Sequence, residues 1–329
     1  MTAKRLVVTY ELDDEGQKTV TAALDGAGEV VVLTDQPPET RAGILAGAEV
    51  VLSRNTSKEL ADGELIHLAN ASLLQFVSAG IDFIPLANLP PSLPVAFNGG
   101  GYSEPMAEHG LTMALAAAKR LMIEHENLKR GTFNQFIPNR MLAGGIVGIL
   151  GFGGIGVASA KLFRGLGMSV HAINRRGASD EPTDWIGKPA DLDRMLSAAD
   201  VLLVSLPLTR TTQEMIGAKE LSLMKPDAIL VNLARGEIIN EAALYDHLRT
   251  HPKFTACIDA WWIEPVRHGE FRMDQPFLDL PNVIASPHNS ASVKSWRPTA
   301  LSRAVENCRR ALLGEKPLYL VGPDDRFMD

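Results

Sequence analysis

The sequence predicts an α/β protein built from two doubly wound parallel sheets. Short β-branched runs alternate with amphipathic stretches, and this alternation occurs twice along the 329 residues. In the first series, the predicted strands are 6–9, 29–33, 49–52 and 73–77. In the second series, they are 146–150, 169–173, 201–205, 228–232, 255–259 and 283–286. A chain of this length suits about two domains, so each series is assigned to one domain.

The regular pattern is interrupted near residue 90, where prolines and glycines fill the runs 88–94 and 98–101. Such runs form no regular structure and indicate a crossing between domains. One continuous helix is then predicted from Ser103 to about Arg130, about 40 Å long. A helix of that length could bridge two domains or form a subunit contact. A final helix is predicted over roughly 292–313.

Composition and charge exclude several classes of protein. The 32 Lys and Arg residues against 39 Asp and Glu give a net charge of −7, with no basic block, which argues against nucleic acid as a partner. The two cysteines, Cys257 and Cys308, form no CxxC motif, so neither a disulfide framework nor a cysteine metal site is expected. A reducing compartment, the cytoplasm, fits this usage. The apolar run at the start is too short for a signal peptide.

One uncharged stretch, residues 141–160, has the length of a membrane span. Seven of its twenty residues are glycines, and each would cost a helix about 1 kcal/mol. A strand, a tight turn and a helix start accommodate these glycines better. We therefore expect no membrane partner.

A glycine fingerprint follows the strand 146–150 and opens a helix. Gly151 permits a tight turn, Gly153 lets the backbone approach a pyrophosphate, and Gly156 allows close packing of helix and strand. The helix N-terminus supplies N–H groups for the phosphates. The sequence thus predicts a dinucleotide site, and the alternative is a glycine-rich turn without a ligand.

The next strand ends in Asn174-Arg175-Arg176, where an NAD site would carry a carboxylate for the ribose hydroxyls. Guanidinium groups cannot accept those hydrogen bonds, but they can pair with a 2′-phosphate. The predicted cofactor is therefore NADP(H), with NAD(H) possible. The alternative is that both arginines merely face solvent.

Three segments place ionisable residues after predicted strands: Arg235, Glu264 and His288. Parallel strands end at one sheet edge, so these side chains can converge beside the glycine turn. An imidazole can give a proton to a carbonyl oxygen while a guanidinium holds a carboxylate, which suits hydride transfer to a 2-oxo acid. Each residue alone also has a structural interpretation: turn hydrogen bonding for His288, turn chemistry for Glu264 and a structural ion pair for Arg235.

Over most of its length the chain resembles the D-isomer-specific 2-hydroxyacid dehydrogenase family, and its pattern is most similar to NADPH-dependent glyoxylate/hydroxypyruvate reductases. The motifs that carry the resemblance lie at 54–56, 78–82, 107–109, 151–156, 206–209, 232–236, 259–265 and 286–289. The last three contain Arg235, Glu264 and His288. The resemblance implies a flavodoxin-like substrate domain, 1–98 plus 291–329, into which a Rossmann dinucleotide-binding domain, 99–290, is inserted. It also implies a homodimer, with the long helix after Ser103 as the dimerisation element.

The resemblance further implies roles by position. His288 would be the acid/base, Glu264 would hydrogen-bond His288 and keep it protonable, and Arg235 would orient the substrate. The implied substrate-binding residues are Arg54, Ala79 and Gly80, although a solvated surface role for Arg54 stays open. The implied cofactor-binding residues are Ser103, Gly151, Gly153, Gly154, Ile155, Gly156, Asn174, Arg175, Arg176, Leu206, Pro207 and Asp259. His109 is interpreted as structural.

The predicted function is NADPH-dependent reduction of a small 2-oxo acid, such as glyoxylate or hydroxypyruvate, to the D-2-hydroxy acid. One alternative is a phosphite- or formate-type anion dehydrogenase, although formate dehydrogenases carry an amide at the position of Glu264. Another is a non-catalytic, dinucleotide-sensing scaffold similar to a corepressor, against which the complete Arg, Glu and His set argues. The segment 266–273 departs from the family pattern and has no assigned role.

Overall fold

The chain divides into two compact units in a computed structural model that describes residues 4–322. Unit 1 comprises Met1–Tyr102 and Val293–Asp329, and unit 2 comprises Ser103–Ser292. The ends of the predicted substrate domain, 1–3 and 323–329, lie outside the described residues. Each unit contains one parallel sheet with helices, which confirms the predicted fold class.

Unit 1 begins with a five-stranded parallel sheet in the order β2-β1-β3-β4-β5, the order of a flavodoxin-like fold. Its central strands are apolar on both faces because helices cover both sides. The strands are β1 (Arg5–Val8), β2 (Glu29–Val32), β3 (Val50–Ser53), β4 (Leu73–Phe76) and β5 (Val95–Ala96). The helices are α1 (Asp14–Leu24), α2 (Pro38–Ala46) and α3 (Thr56–Glu59).

Unit 2 contains a seven-stranded parallel sheet in the order β12-β11-β10-β9-β6-β7-β8. Six of these strands repeat the doubly wound dinucleotide order, and β12 extends one edge. The strands are β6 (Ile146–Leu150), β7 (Ser169–Ile173), β8 (Trp185–Gly187), β9 (Val201–Val204), β10 (Ile229–Asn232), β11 (Thr255–Ile258) and β12 (Val283–Ala285). The helices are α4 (Ser103–Ala118), α5 (Leu121–Lys129), α6 (Gly154–Gly165), α7 (Leu192–Ala198), α8 (Ala218–Leu223), α9 (Glu241–Thr250) and α10 (Pro265–His268).

The last helix, α11 (Arg297–Leu312), completes unit 1. It packs against α1 and buries Val305, Cys308 and Leu312 in the same apolar cluster as strand β1. Its polar residue Asn307 is also buried and donates to Gln75 Oε1 at 2.6 Å. The chain therefore crosses between its units twice, and the final helix is part of the core of unit 1.

The prediction of one continuous helix over 103–130 was wrong. Helix α4 ends at Ala118, Arg120 adopts a left-handed φ of 55°, and α5 begins at Leu121. The Ala118 carbonyl accepts a hydrogen bond from the N–H of Arg140 at 3.0 Å. This bond comes from a segment further along the chain and takes the place of the hydrogen bond that would continue helix α4. Because no proline or glycine marks the break, the local sequence gives no signal of it.

The glycine-rich stretch 141–160 contains strand β6, a turn and the first part of α6, as its composition predicts.

The sequence did not predict the two short strands β5 and β8, because they lack the β-branched runs on which the strand predictions depend. Within residues 4–322 no helix has the length and apolar character needed to cross a bilayer.

Candidate active site

The glycine turn between β6 and α6 leaves no room for side chains at two of its positions. Gly151 has a φ of 100°, and a Cβ there would lie 2.7 Å from the Leu206 backbone nitrogen. A Cβ on Gly156 would lie 2.3 Å from the Gly151 carbonyl oxygen. A Cβ on Gly153 would meet no atom within 4 Å among the described residues. The turn thus packs tightly on its inner side and presents open backbone at Gly153 and the start of α6, as a pyrophosphate site requires.

The turn after β7 carries the two arginines, and β7 pairs directly with β6, so both turns lie at one sheet edge. Asn174 shapes this turn: its Oδ1 accepts the N–H groups of Arg176 at 3.0 Å and of Gly177 at 2.7 Å. Both arginine side chains are exposed. The structure therefore uses the Asn174 side chain to hold the turn that presents Arg175 and Arg176.

Other predicted cofactor residues lie at the same edge of unit 2. Leu206 and Pro207 follow β9, the other neighbour of β6, and the adjacent Ser205 Oγ donates to the Gly151 carbonyl at 2.8 Å. Gly154 and Ile155 form the first turn of α6. Ser103 begins α4, and its buried hydroxyl has no hydrogen-bond partner within residues 4–322. An unpartnered buried hydroxyl is suited to an incoming polar ligand.

His288 and Glu264 form a close imidazole–carboxylate pair. His288 Nδ1 lies 2.8 Å from Glu264 Oε1 and 2.7 Å from Oε2. The carboxylate can only accept, so Nδ1 is the donor and the opposite nitrogen, Nε2, is the one left for other chemistry. His288 also has a left-handed φ of 49°, which is uncommon for a residue with a side chain. The family resemblance implies this pair, whereas nothing in the sequence predicts the left-handed conformation of His288.

The carboxylate of Glu264 remains ionised despite its burial. Burial raises its pKa, but the hydrogen bond and charge of His288, the Trp261 N–H at 2.7 Å and the charge of Arg235 lower the pKa by more. The net pKa is below the ordinary value of 4.5. The carboxylate accepts the Nδ1 proton of His288 and so fixes the orientation of the ring.

The unassigned segment 266–273 contacts Glu264 through His268. Helix α10 follows Glu264 directly, and the Glu264 N–H donates to His268 Nδ1 at 3.0 Å. Arg267 pairs with Glu237, which lies just after Arg235 in the chain. Sequence reasoning missed His268, and the only available signal was its spacing of four residues from Glu264.

Arg235 follows β10, and β10 pairs with β11, the strand that leads to Glu264. Its guanidinium Nη1 donates to the Ala234 carbonyl at 2.6 Å, and its charge acts on the Glu264 carboxylate. The structure therefore brings together Arg235, Glu264 and His288 within unit 2.

Asp259, which follows β11, is fully buried and is surrounded by donors. Its Oδ1 accepts from the Ser286 hydroxyl at 2.6 Å and from the Asn289 N–H at 3.1 Å. The Ser290 N–H lies 3.3 Å from Oδ2, and the Asp259 carbonyl accepts the His288 N–H at 2.9 Å. Asp259 thus holds the turn that carries His288.

The predicted substrate residues lie in unit 1, at the carboxyl edge of its own sheet. The Arg54 guanidinium lies over the Tyr10 ring, 4.0 Å from its centroid, so it is held by a cation–π contact although it is exposed. Ala79 and Gly80 follow β4, and within residues 4–322 neither backbone N–H has an acceptor. Two such N–H groups are available to bind an anion.

The doubly wound sheet, the glycine turn and the imidazole–carboxylate pair at one edge define a dinucleotide-dependent oxidoreductase. Residues 111–290 match the sequence model described as D-isomer specific 2-hydroxyacid dehydrogenase, NAD binding domain. The chain belongs to the D-isomer-specific 2-hydroxyacid dehydrogenase family.

Three comparisons illustrate this membership. Glyoxylate/hydroxypyruvate reductase B of Pectobacterium carotovorum subsp. carotovorum (strain PC1) is 34% identical over 226 residues, which cover 67% of this chain and 69% of that protein. A D-isomer specific 2-hydroxyacid dehydrogenase from Xanthobacter autotrophicus Py2, solved with NADPH and MES, is 25% identical with a TM-score of 0.79 and coverage of 99% and 100%. A family protein from Aeromonas salmonicida subsp. salmonicida A449 is 26% identical with a TM-score of 0.76 and coverage of 98% and 100%.

The ionised state of Glu264 gives a first testable prediction. Its pKa is lower in the folded than in the unfolded chain, so the stability it contributes is complete above pH 4.5 and is lost as the pH falls through the folded pKa. We expect Glu264→Gln to lower the free energy of unfolding at pH 7 by about 1–3 kcal/mol, the effect of weakening charge-assisted hydrogen bonds. Denaturant unfolding at pH 7 and pH 3 measures this. Equal destabilisation at both pH values would contradict it.

Proposed function

We propose that the protein catalyses NADPH-dependent reduction of a small 2-oxo acid to the D-2-hydroxy acid, with His288 as the proton donor. The observation that carries the proposal is the His288–Glu264 pair at the sheet edge that also presents the glycine turn. The curated relative named above as a glyoxylate/hydroxypyruvate reductase supports a substrate of this size and chemistry.

His288 is suited to the proton transfer because Glu264 fixes both the ring orientation and the position of its proton at Nδ1. The other ring nitrogen, Nε2, then donates to the carbonyl oxygen as negative charge develops there. The Arg235 guanidinium stabilises that oxygen and holds the substrate carboxylate. Bound NADPH supplies the hydride. In the reverse direction His288 accepts the proton, since the same groups serve both directions.

The cofactor would be held by the glycine turn and by the arginine turn of unit 2. The open backbone at Gly153 and the N–H groups at the start of α6 suit the pyrophosphate. Arg175 and Arg176 suit a 2′-phosphate, and no carboxylate stands at the end of β7 to accept the ribose hydroxyls of NAD. The complex of the Xanthobacter relative with NADPH supports this preference.

In unit 1 we assign contacts with the substrate carboxylate to the Ala79 and Gly80 N–H groups and to Arg54. The Tyr10 ring limits the freedom of the Arg54 side chain, so less conformational entropy is lost when it binds an anion. Unit 1 is accordingly proposed as the substrate domain and unit 2 as the cofactor domain.

The deciding experiment is a panel of 2-oxo acids assayed with NADPH and with NADH by the loss of cofactor absorbance. The panel includes glyoxylate, hydroxypyruvate, pyruvate and larger homologues, with formate and phosphite tested in the oxidative direction. We expect reduction of at least one 2-oxo acid and a higher kcat/KM with NADPH. Turnover of formate or phosphite alone would favour an anion dehydrogenase, and cofactor binding without any turnover would favour a sensing scaffold.

We also propose a homodimer, in which the subunit contact includes the exposed apolar residues of α5 and the loop after it. Phe136 is 91% exposed, Phe133 75% and Met141 73%, and Leu121 and Leu128 are also exposed. Several large exposed apolar side chains in one short stretch of the chain are typical of an interaction surface.

The dimer proposal gives a second prediction. Phe136→Asp would place a charge in the apolar contact, and we expect the dissociation constant of the dimer to rise at least about tenfold, about 1.4 kcal/mol. Light scattering after size exclusion, over a dilution series, measures it. Ile66→Asp changes an isoleucine that is 69% exposed and lies outside this surface, and it is the control. A wild-type monomer at all concentrations would refute the proposal.

A further inference from the structure

A chain of three hydrogen-bonded side chains lies beside the turn that carries His288. It begins at His109 on α4, passes through Ser286 after β12 and ends at the buried carboxylate of Asp259. His109 Nε2 lies 3.0 Å from Ser286 Oγ and 3.7 Å from Asp259 Oδ1. The Ser286 hydroxyl donates to Asp259 Oδ1 at 2.6 Å.

The directions of these hydrogen bonds follow from the chemistry of the groups. The Ser286 hydroxyl has one proton, and it donates that proton to Asp259 Oδ1. Towards His109, Ser286 Oγ must therefore accept, and His109 Nε2 must donate. An N–H at Nε2 also points the positive end of the imidazole at Asp259. His109 is thus the first donor of a chain that ends on the buried side chain of Asp259.

Asp259 connects the side chains of Ser286 and His109 to the backbone around His288. Its carboxylate and carbonyl oxygens accept the N–H groups of Asn289, Ser290 and His288. These bonds surround a left-handed residue, whose conformation costs about 1–2 kcal/mol for a side chain other than glycine. Such a conformation persists only where the surrounding bonds require it.

We propose that His109 is a positioning residue for His288, which acts through Ser286 and Asp259 to hold the left-handed turn in its reactive conformation. The proposal rests on the proposed function in one respect, that His288 transfers the proton. It gives a role to two residues, His109 and Ser286, outside the predicted Arg235, Glu264 and His288 set. Helix α4 packs on β10 and β11, which brings His109 to this turn from a distant part of the sequence.

The kinetic test compares disruptive and conservative variants at both ends of the chain of hydrogen bonds. His109→Leu and Ser286→Ala should each lower kcat about tenfold, the effect of one lost hydrogen bond, with a much smaller change in KM. His109→Gln keeps an N–H near the position of Nε2 and Ser286→Thr keeps the hydroxyl, so both should restore most of kcat. The double variant His109→Leu/Ser286→Ala should be no slower than the slower single variant, because both break one chain.

The matched control is Thr112→Val, which removes an exposed hydroxyl that bonds the Glu108 carbonyl on the same helix. It should change neither kcat nor KM. Fully additive single effects, or a His109→Gln variant as slow as His109→Leu, would overturn the proposal. If Ser286→Ala fails to fold by thermal melting, the comparison of His109→Leu with His109→Gln decides alone.

A spectroscopic arm needs no turnover and separates this proposal from the proposed function. In protein labelled at its histidine rings, the His288 NMR signals should shift in His109→Leu and Ser286→Ala and stay unchanged in Thr112→Val. The signals of the exposed His125 serve as an internal reference. If no 2-oxo acid is reduced and His288 shifts, only the proposed function fails. If His288 does not shift in either variant, the positioning role is refuted.

Discussion

Replacing His288 by alanine is expected to lower kcat for 2-oxo acid reduction by about 10²–10⁴-fold, the usual contribution of a positioned general acid. The carbonyl oxygen would lose its proton donor, whereas Arg235 and the groups assigned to the substrate carboxylate would stay in place. KM should therefore change much less than kcat. Steady-state kinetics with the best substrate of the panel measure both constants, and fluorescence titration with NADPH checks that cofactor binding is retained.

His67→Ala is the control for this variant because His67 lies in the short helical segment Glu64–Asn70 of unit 1 and belongs to no proposed site. Glu264→Gln tests the partner of the pair. It leaves the imidazole but replaces its charged hydrogen-bond acceptor by a neutral amide, so its kcat should lie between those of the wild type and His288→Ala. A loss below about tenfold in His288→Ala would mean that another group donates the proton.

The convergence of Arg235, Glu264 and His288 could be predicted from the sequence because one topological rule governs it. Each residue follows a strand of a parallel sheet, and such strands end at the same edge. Hydrophobic runs of four or five residues identified these strands within one or two residues of their observed bounds. No side-chain geometry was needed for that inference.

The contacts of His109 and Ser286 could not be predicted because their cause is non-local. The two residues are 177 positions apart, and they meet only because α4 packs on the sheet from which β12 leads to Ser286. The break of the helix at Arg120 has a similar cause, because the N–H of Arg140, about twenty residues later in the chain, bonds to the carbonyl of Ala118. Local periodicity carries no information about either contact.

The turn formed by Asn174, Arg175 and Arg176 is the feature of the sequence that most directly predicts the choice of cofactor. Asn174 fixes the turn through backbone N–H groups, and Arg175 and Arg176 extend from it as exposed side chains. Hydrogen bonds to charged groups contribute about 1.5–3 kcal/mol each, and every 1.4 kcal/mol changes affinity about tenfold. Two guanidinium contacts with a 2′-phosphate would therefore dominate the difference in affinity between NADPH and NADH.

We accordingly expect Arg175→Ala/Arg176→Ala to raise KM for NADPH by about 100-fold or more and to change KM for NADH less than about threefold. Initial rates with each cofactor, at a saturating concentration of one 2-oxo acid, measure the two constants. Arg249→Ala removes an exposed arginine from α9, away from this turn, and should change neither. A parallel loss of affinity for both cofactors would mean that the arginines hold the shape of the turn rather than a phosphate. In that case Arg175→Lys/Arg176→Lys, which keeps both charges, should be equally impaired, whereas phosphate recognition predicts partial rescue.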